Sequence, residues 1–127
     1  MKIHEHWLNT AQHTPSPNAD LRPDESDISL IVIHCISLPE GHFATAHITQ
    51  LFNNQLKACD HPSFKEICEL KVSSHVVIAR TGEITQYVPF NQRAWHAGVS
   101  NYCGRTQCND FSIGIELEGT DHTPYTV

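Results

Sequence analysis

Ten histidines in 127 residues prompt a search for imidazoles that could hold a metal or carry a proton. His34 is the first candidate. It sits near the C-terminal end of the aliphatic run 28–36, and strand ends in α/β sheets face the crevices where ligands bind. Its neutral nitrogen suits Zn²⁺; a core histidine bonded to backbone would fit the same position. Glu116 is the second candidate. Alternation puts Phe111, Ile113, Ile115 and Leu117 on one sheet face and Ser112, Gly114, Glu116 and Glu118 on the other. The apolar set should face packed helices. The small and acidic set should face something more open, with Gly114 leaving room for a ligand to approach. A carboxylate on that floor beside a metal could act as general base toward a bound water. The alternative is a solvated strand glutamate, which Glu118, nearer the strand end, fits better. The third candidate is the segment 93–98, where Trp95 offers a flat apolar face with one N–H donor and His96 stands among small residues. It suits a wall for a sugar or peptide, and equally a loop anchor that plugs the core. His75 reads as structural. No G-x-S-x-G occurs, and Cys35 cannot share a sheet face with His34, so no nucleophile–base pair stands out.

The elements that must position these residues follow from periodicity. Residues 1–27 are polar and proline-rich, and read as a short helix near Trp7 and Leu8 followed by an extended arm across the domain. The β-branched run 28–36 has the signature of a central strand buried on both faces. From Thr45 to Leu56, the apolar residues Ile48, Leu51, Phe52 and Leu56 fall on one face of an amphipathic helix. Residues 57–72 are loop-rich, with Asp60-His61-Pro62 as a turn. The runs 74–79 and 84–88 form a hairpin about Arg80-Thr81-Gly82-Glu83. Residues 90–98 are irregular and 111–119 a strand. The sum is one α/β domain, a mixed central sheet flanked by helices. Thr126 has the chemistry of an N-cap, so the chain is expected to stop where another helix begins.

The bulk properties exclude more than they assign. A net charge of −6 without a Lys/Arg cluster argues against nucleic acid or an anionic membrane surface as partner. The N-terminus lacks a secretory apolar run and no stretch approaches transmembrane length, so a cytoplasmic location is expected. Five cysteines without close pairing read as reduced thiols.

Taken together, these segments resemble a known family. His34-Cys35-Ile36-Ser37, Gln86-Tyr87-Val88-Pro89-Phe90, Ala94-Trp95-His96-Ala97-Gly98 and above all the run from Cys108 through Glu116 to Asp121 are similar to the AmpD-type N-acetylmuramoyl-L-alanine amidases. The similarity runs through the chain in register, from Pro15-Ser16-Pro17-Asn18 to Tyr125-Thr126. It implies the fold shared by phage-type amidases and peptidoglycan recognition proteins. It also implies zinc-dependent hydrolysis of the amide between (1,6-anhydro)N-acetylmuramic acid and L-alanine, in cytoplasmic muropeptide recycling upstream of β-lactamase induction. By position, His34 matches the first zinc ligand, Glu116 the catalytic acid–base residue, and Trp95 and His96 the loop beside the substrate groove.

The same resemblance implies departures. The family's second histidine ligand, its aspartate ligand and a transition-state lysine belong to a C-terminal part that these residues lack, so 1–127 is expected to be a partial amidase domain. Zinc binding by His34 alone should be weakened by many orders of magnitude. Two further substrate-binding positions differ in type: Cys35 stands where asparagine is usual, and Lys71 where arginine is frequent, a point charge in place of a bidentate fork. An apolar sheet face left uncovered should favour self-association through a second copy of the chain. Two competing functions follow: a non-catalytic muropeptide-binding module, and a substitute metal site drawn from His34, His75 or His96 with Glu116.

Overall fold

The computed structural model describes residues 1–125. The chain opens with strands β1 (Ile3–His4) and β2 (Trp7–Leu8), which pair antiparallel. Glu5 and His6 between them both have positive φ, 46° and 70°, the backbone of a tight two-residue hairpin turn. The helix expected near Trp7 and Leu8 is therefore a hairpin: two apolar residues fit either element, and the turn chemistry is carried by residue types that seldom announce it. The arm that follows is extended, as expected, but it is built into the sheet edges. β3 (Gln12–His13) lies parallel to the strand Ile84–Gln86, and β4 (Ala19–Leu21) antiparallel to the strand Gln92–Ala94.

β5 (Leu30–Ile36) is followed by the helix α1 (His47–Phe52), shorter than its sequence pattern, with Ile48, Leu51 and Phe52 buried. Two 3₁₀ turns, Ala58–Asp60 and Pro62–Glu66, fill the loop-rich section, the second capped by the His61 side chain on the Ser63 N–H. β6 (Val76–Ile78) and β7 (Ile84–Gln86) form the predicted hairpin, with Gly82 at φ 89° in its turn. The stretch 90–98, read as irregular, contains β8 (Gln92–Ala94). A small hairpin, β9 (Asn101–Tyr102) and β10 (Arg105–Thr106), precedes β11 (Ser112–Glu118).

The main sheet has the order β3-β7-β6-β11-β5, with β11 parallel to both β5 and β6. The centre is thus β11, and β5 is an edge strand rather than the central one expected. A continuous aliphatic run does not distinguish two buried faces from one: in β5, Ile31 and Ile33 remain 62% and 57% exposed. The core gathers on one face, where α1 lays Ile48, Leu51 and Phe52 against Phe64, Val77 and Val88. Val77, Glu116 and His34 are register partners on three adjacent strands. Glu116 therefore shares the core-facing side with Val77, and its strand's faces are reversed from expectation. Ser112, Gly114, Glu116 and Glu118 are buried, whereas Ile113, Ile115 and Leu117 are only half-buried. With Met1, Ile3, Val76 and Ile78, the first two line an open, wholly apolar groove of about 440 Å³. The proposed N-cap at Thr126 lies outside the described residues.

Polar anchors tie the arm down. Buried Asn18 donates to the carbonyls of Phe52 and Val72 and to Asn54. Buried Arg22 donates to the carbonyls of Phe90, Asn109, Asp110 and Ser112. Multiple charge-assisted bonds of this kind offset the desolvation of a buried cation.

Candidate active site

The site forms where the parallel strands β5 and β11 end. Register places Glu116 directly beside His34, about 4.8 Å apart strand to strand. Glu116 is 9% exposed, and its Oε2 is buried without a hydrogen-bond partner among the described residues. Burial lifts its carboxyl to about 7, because a charge without a partner is disfavoured in an apolar setting. At neutral pH such a group is split between acid and base, the condition proton transfer requires.

His34 is half-buried, and burial lowers its proton affinity. Its Nε2 lies 2.9 Å from Nδ1 of His96. Nε2 of His96 lies 3.1 Å from Ser112 Oγ. The His96 ring rests on Gly114, where a Cβ would come within 2.5 Å of it. The room at Gly114 is thus filled by an imidazole from the chain itself. Asn109 Oδ1 accepts from the N–H of both His96 and Ala97, pinning the loop. Burial first, then the neighbouring His34, His75 and Arg22, hold the His96 pKa down to about 3.

His75 is structural. It is fully buried, its Nδ1 accepts from the Gly114 N–H at 3.0 Å, and its Nε2 meets the Gln92 carbonyl at 2.9 Å. Burial depresses its pKa to about 4, with the Arg22 guanidinium adding a smaller push in the same direction.

The other expected site residues are spread apart. Trp95 donates through Nε1 to Asp20 and lines a separate polar groove with Arg93, Asp110 and Asn109. Arg93 bridges Asp20 at 2.7 Å and Asp110 at 2.5 Å in that groove. Cys35 is exposed and, with His34, Leu117 and residues 120–125, lines a groove of about 530 Å³, a volume typical of ligand pockets. Lys71 is exposed. The structure thus brings together His34, His96 and Glu116, and does not gather Trp95 or Lys71 with them; Cys35 shares only the groove beside His34.

Three contributors escaped the sequence. Ser112 and Asn109 hold His96. Glu118, taken for a solvated strand glutamate, is 7% exposed and accepts from the N–H of Ala44 at 2.6 Å and of Arg80 at 3.1 Å. Its place on the same strand face as Glu116 was the available signal.

The donor set bears on zinc. Among the described residues no three His, Cys, Asp or Glu side chains gather closely enough to hold a metal ion. Both nitrogens of His75 and of His96 are already engaged, so a substitute site drawn from them is not formed. A catalytic zinc takes three protein ligands, and these residues do not by themselves make that site.

A mixed sheet whose parallel strand ends set a buried carboxylate beside a paired imidazole makes this an α/β domain with its candidate site at the strand ends. A family model described as N-acetylmuramoyl-L-alanine amidase matches residues 24–127. The 1,6-anhydro-N-acetylmuramyl-L-alanine amidase AmpD of Salmonella typhimurium is 58% identical over 120 residues, covering 94% of this chain and 64% of that protein. AmpD of Escherichia coli K12 is 55% identical over 126 residues, covering 99% and 69%. The crystal structure of a selenomethionine derivative of AmpD superposes with a TM-score of 0.97 at 56% identity, covering 99% of this chain and 70% of that one. The chain belongs to the N-acetylmuramoyl-L-alanine amidase family, and spans 64% of the length of its Salmonella relative.

Proposed function

We propose that the chain carries the proton-handling part of an amidase that hydrolyses the bond between (1,6-anhydro)N-acetylmuramic acid and the L-alanine of a stem peptide in cell-wall recycling. The observation that supports this best is Glu116, a buried carboxyl beside His34 with one oxygen unpartnered and a pKa of about 7. Hydrolysis of an amide adds water to the carbonyl carbon and expels the amine. Glu116 takes the proton from the attacking water as the new C–O bond forms. It then returns that proton to the leaving nitrogen as the C–N bond breaks. The products are the muramoyl acid and the free peptide.

Trp95, Cys35 and Lys71 are the proposed substrate contacts outside this pair, with the flat face of Trp95 suited to a sugar. His34 is the one zinc ligand these residues would supply, and no step above runs through the metal. A cytoplasmic site of action belongs to the same proposal. Among the described residues no helix is long and apolar enough to cross a membrane.

Incubation with anhydro-muropeptide and Zn²⁺, read by mass spectrometry, tests the reading. Release of free peptide that disappears in Glu116→Gln supports it; release that persists undiminished in Glu116→Gln contradicts it. The incomplete donor set favours a second reading, a module that binds muropeptides without cutting them. Calorimetry with the same ligand separates the two, since only the second predicts binding without turnover.

A further inference from the structure

We infer that His96 is a positioning residue for His34, and that Ser112, His96 and His34 form a hydrogen-bonded row in which the proton on one imidazole dictates the proton on the other. The contacts are His34 Nε2 to His96 Nδ1 at 2.9 Å and His96 Nε2 to Ser112 Oγ at 3.1 Å. Both ring nitrogens of His96 are taken by protein groups, so neither is left for a ligand. The ring is held in place from two sides: Asn109 fixes the backbone on either side of it, and Gly114 supplies the floor on which it lies. His96, expected from sequence at the wall of a substrate groove, instead acts behind His34.

Two neutral imidazoles in this contact have only two arrangements. In one, His96 carries its proton on Nδ1 and donates to His34, whose own proton must then sit on Nδ1. In the other, both protons sit on Nε2, and His96 donates to Ser112. Ser112 decides between them. Its side chain is fully buried, and His96 Nε2 is the only partner of its hydroxyl among the described residues. Buried donors without an acceptor are the rarest kind of unsatisfied group, so the hydroxyl donates to His96 and both rings carry Nδ1–H. Any ligand that needs the Nδ1 lone pair of His34 must reverse both rings together.

The row rests on the proposed function only in placing His34 in the site beside Glu116. It is tested without substrate or turnover, so an inactive chain and a broken row are separate outcomes. In ¹⁵N-labelled chain at about pH 8, where imidazole is neutral, two-bond ring correlations report each tautomer. The row predicts Nδ1–H for His34 and His96. His75 should carry Nε2–H, since its Nδ1 accepts from Gly114, and it serves as the control for the fold. In His96→Ala, His34 should relax to a mixture of tautomers while His75 stays unchanged. Opposite tautomers on His34 and His96, or both on Nε2, would overturn the row. So would a His34 signal unmoved in a His96→Ala protein whose His75 is intact. Where that variant does not fold, the wild-type pattern alone decides.

Discussion

Glu116 and His75 are both buried, yet their environments push them in opposite ways. Burial disfavours the charged form of each: it raises the Glu116 carboxyl, one oxygen of which lacks a partner, and lowers His75 against a smaller opposing push from the bond to the Gln92 carbonyl. The His75 shift is a stability statement. Its folded pKa of about 4 lies below the ordinary 6.5, so its contribution is complete above pH 6.5 and is lost as pH falls toward 4. The loss amounts to about 3 kcal/mol. The stability advantage of wild type over His75→Gln, from urea denaturation, should therefore shrink by about that much between pH 7 and pH 4. A constant difference would show that His75 is not held neutral. His34 and Glu116 were legible in the sequence because a histidine at the end of an aliphatic run and an acid in strict alternation are both anomalies. Ser112 was not: a serine on a strand is ordinary until the imidazole from a distant loop is seen above it.

Elements were legible in kind more than in placement. The 111–119 strand, the Arg80–Glu83 hairpin and the α1 pattern all appear where periodicity puts them. The order of strands was not, because β5 and β11 are both apolar enough to sit at the centre, and only the pairing partners decide. β8 was missed because its backbone bonds go to β4, an element of the polar arm that carries no strand pattern. Glu118 shows what the strand ends gain from a second buried acid. One carboxylate fastens the loop at Ala44, where φ is 56°, and the turn that begins at Arg80. Glu118→Ala leaves both N–H groups without their acceptor, and should cost about 2–4 kcal/mol. Hydrogen exchange should accelerate at Ala44 and Arg80 before it does in β6. Uniform acceleration across the sheet would mean that Glu118 supports the fold generally rather than these two loops.

At the scale of the molecule, the burial is one-sided. One sheet face carries the core and the site; the other presents Ile113, Ile115, Val76 and Ile78 in an open apolar groove, bordered by the exposed Ile31 of the edge strand. Apolar surface of this kind favours association, and β5 adds an aliphatic edge without a charged residue. Sedimentation velocity should show the chain associating as its concentration rises; a stable monomer at all concentrations would contradict this. The site itself does not depend on that face, since Glu116 points to the other. Everything proposed for the chemistry turns on Glu116 exchanging a proton near neutral pH. The direct measurement is the pH titration of its side-chain carboxyl carbon by NMR in the intact chain, assigned by comparison with Glu116→Gln. A midpoint about 7 is predicted, and with it a wild-type stability that falls relative to Glu116→Gln as pH rises from 4.5 through 7. A midpoint near the ordinary 4.5 would make Glu116 a plain carboxylate, and would contradict its role as the proton carrier of the site.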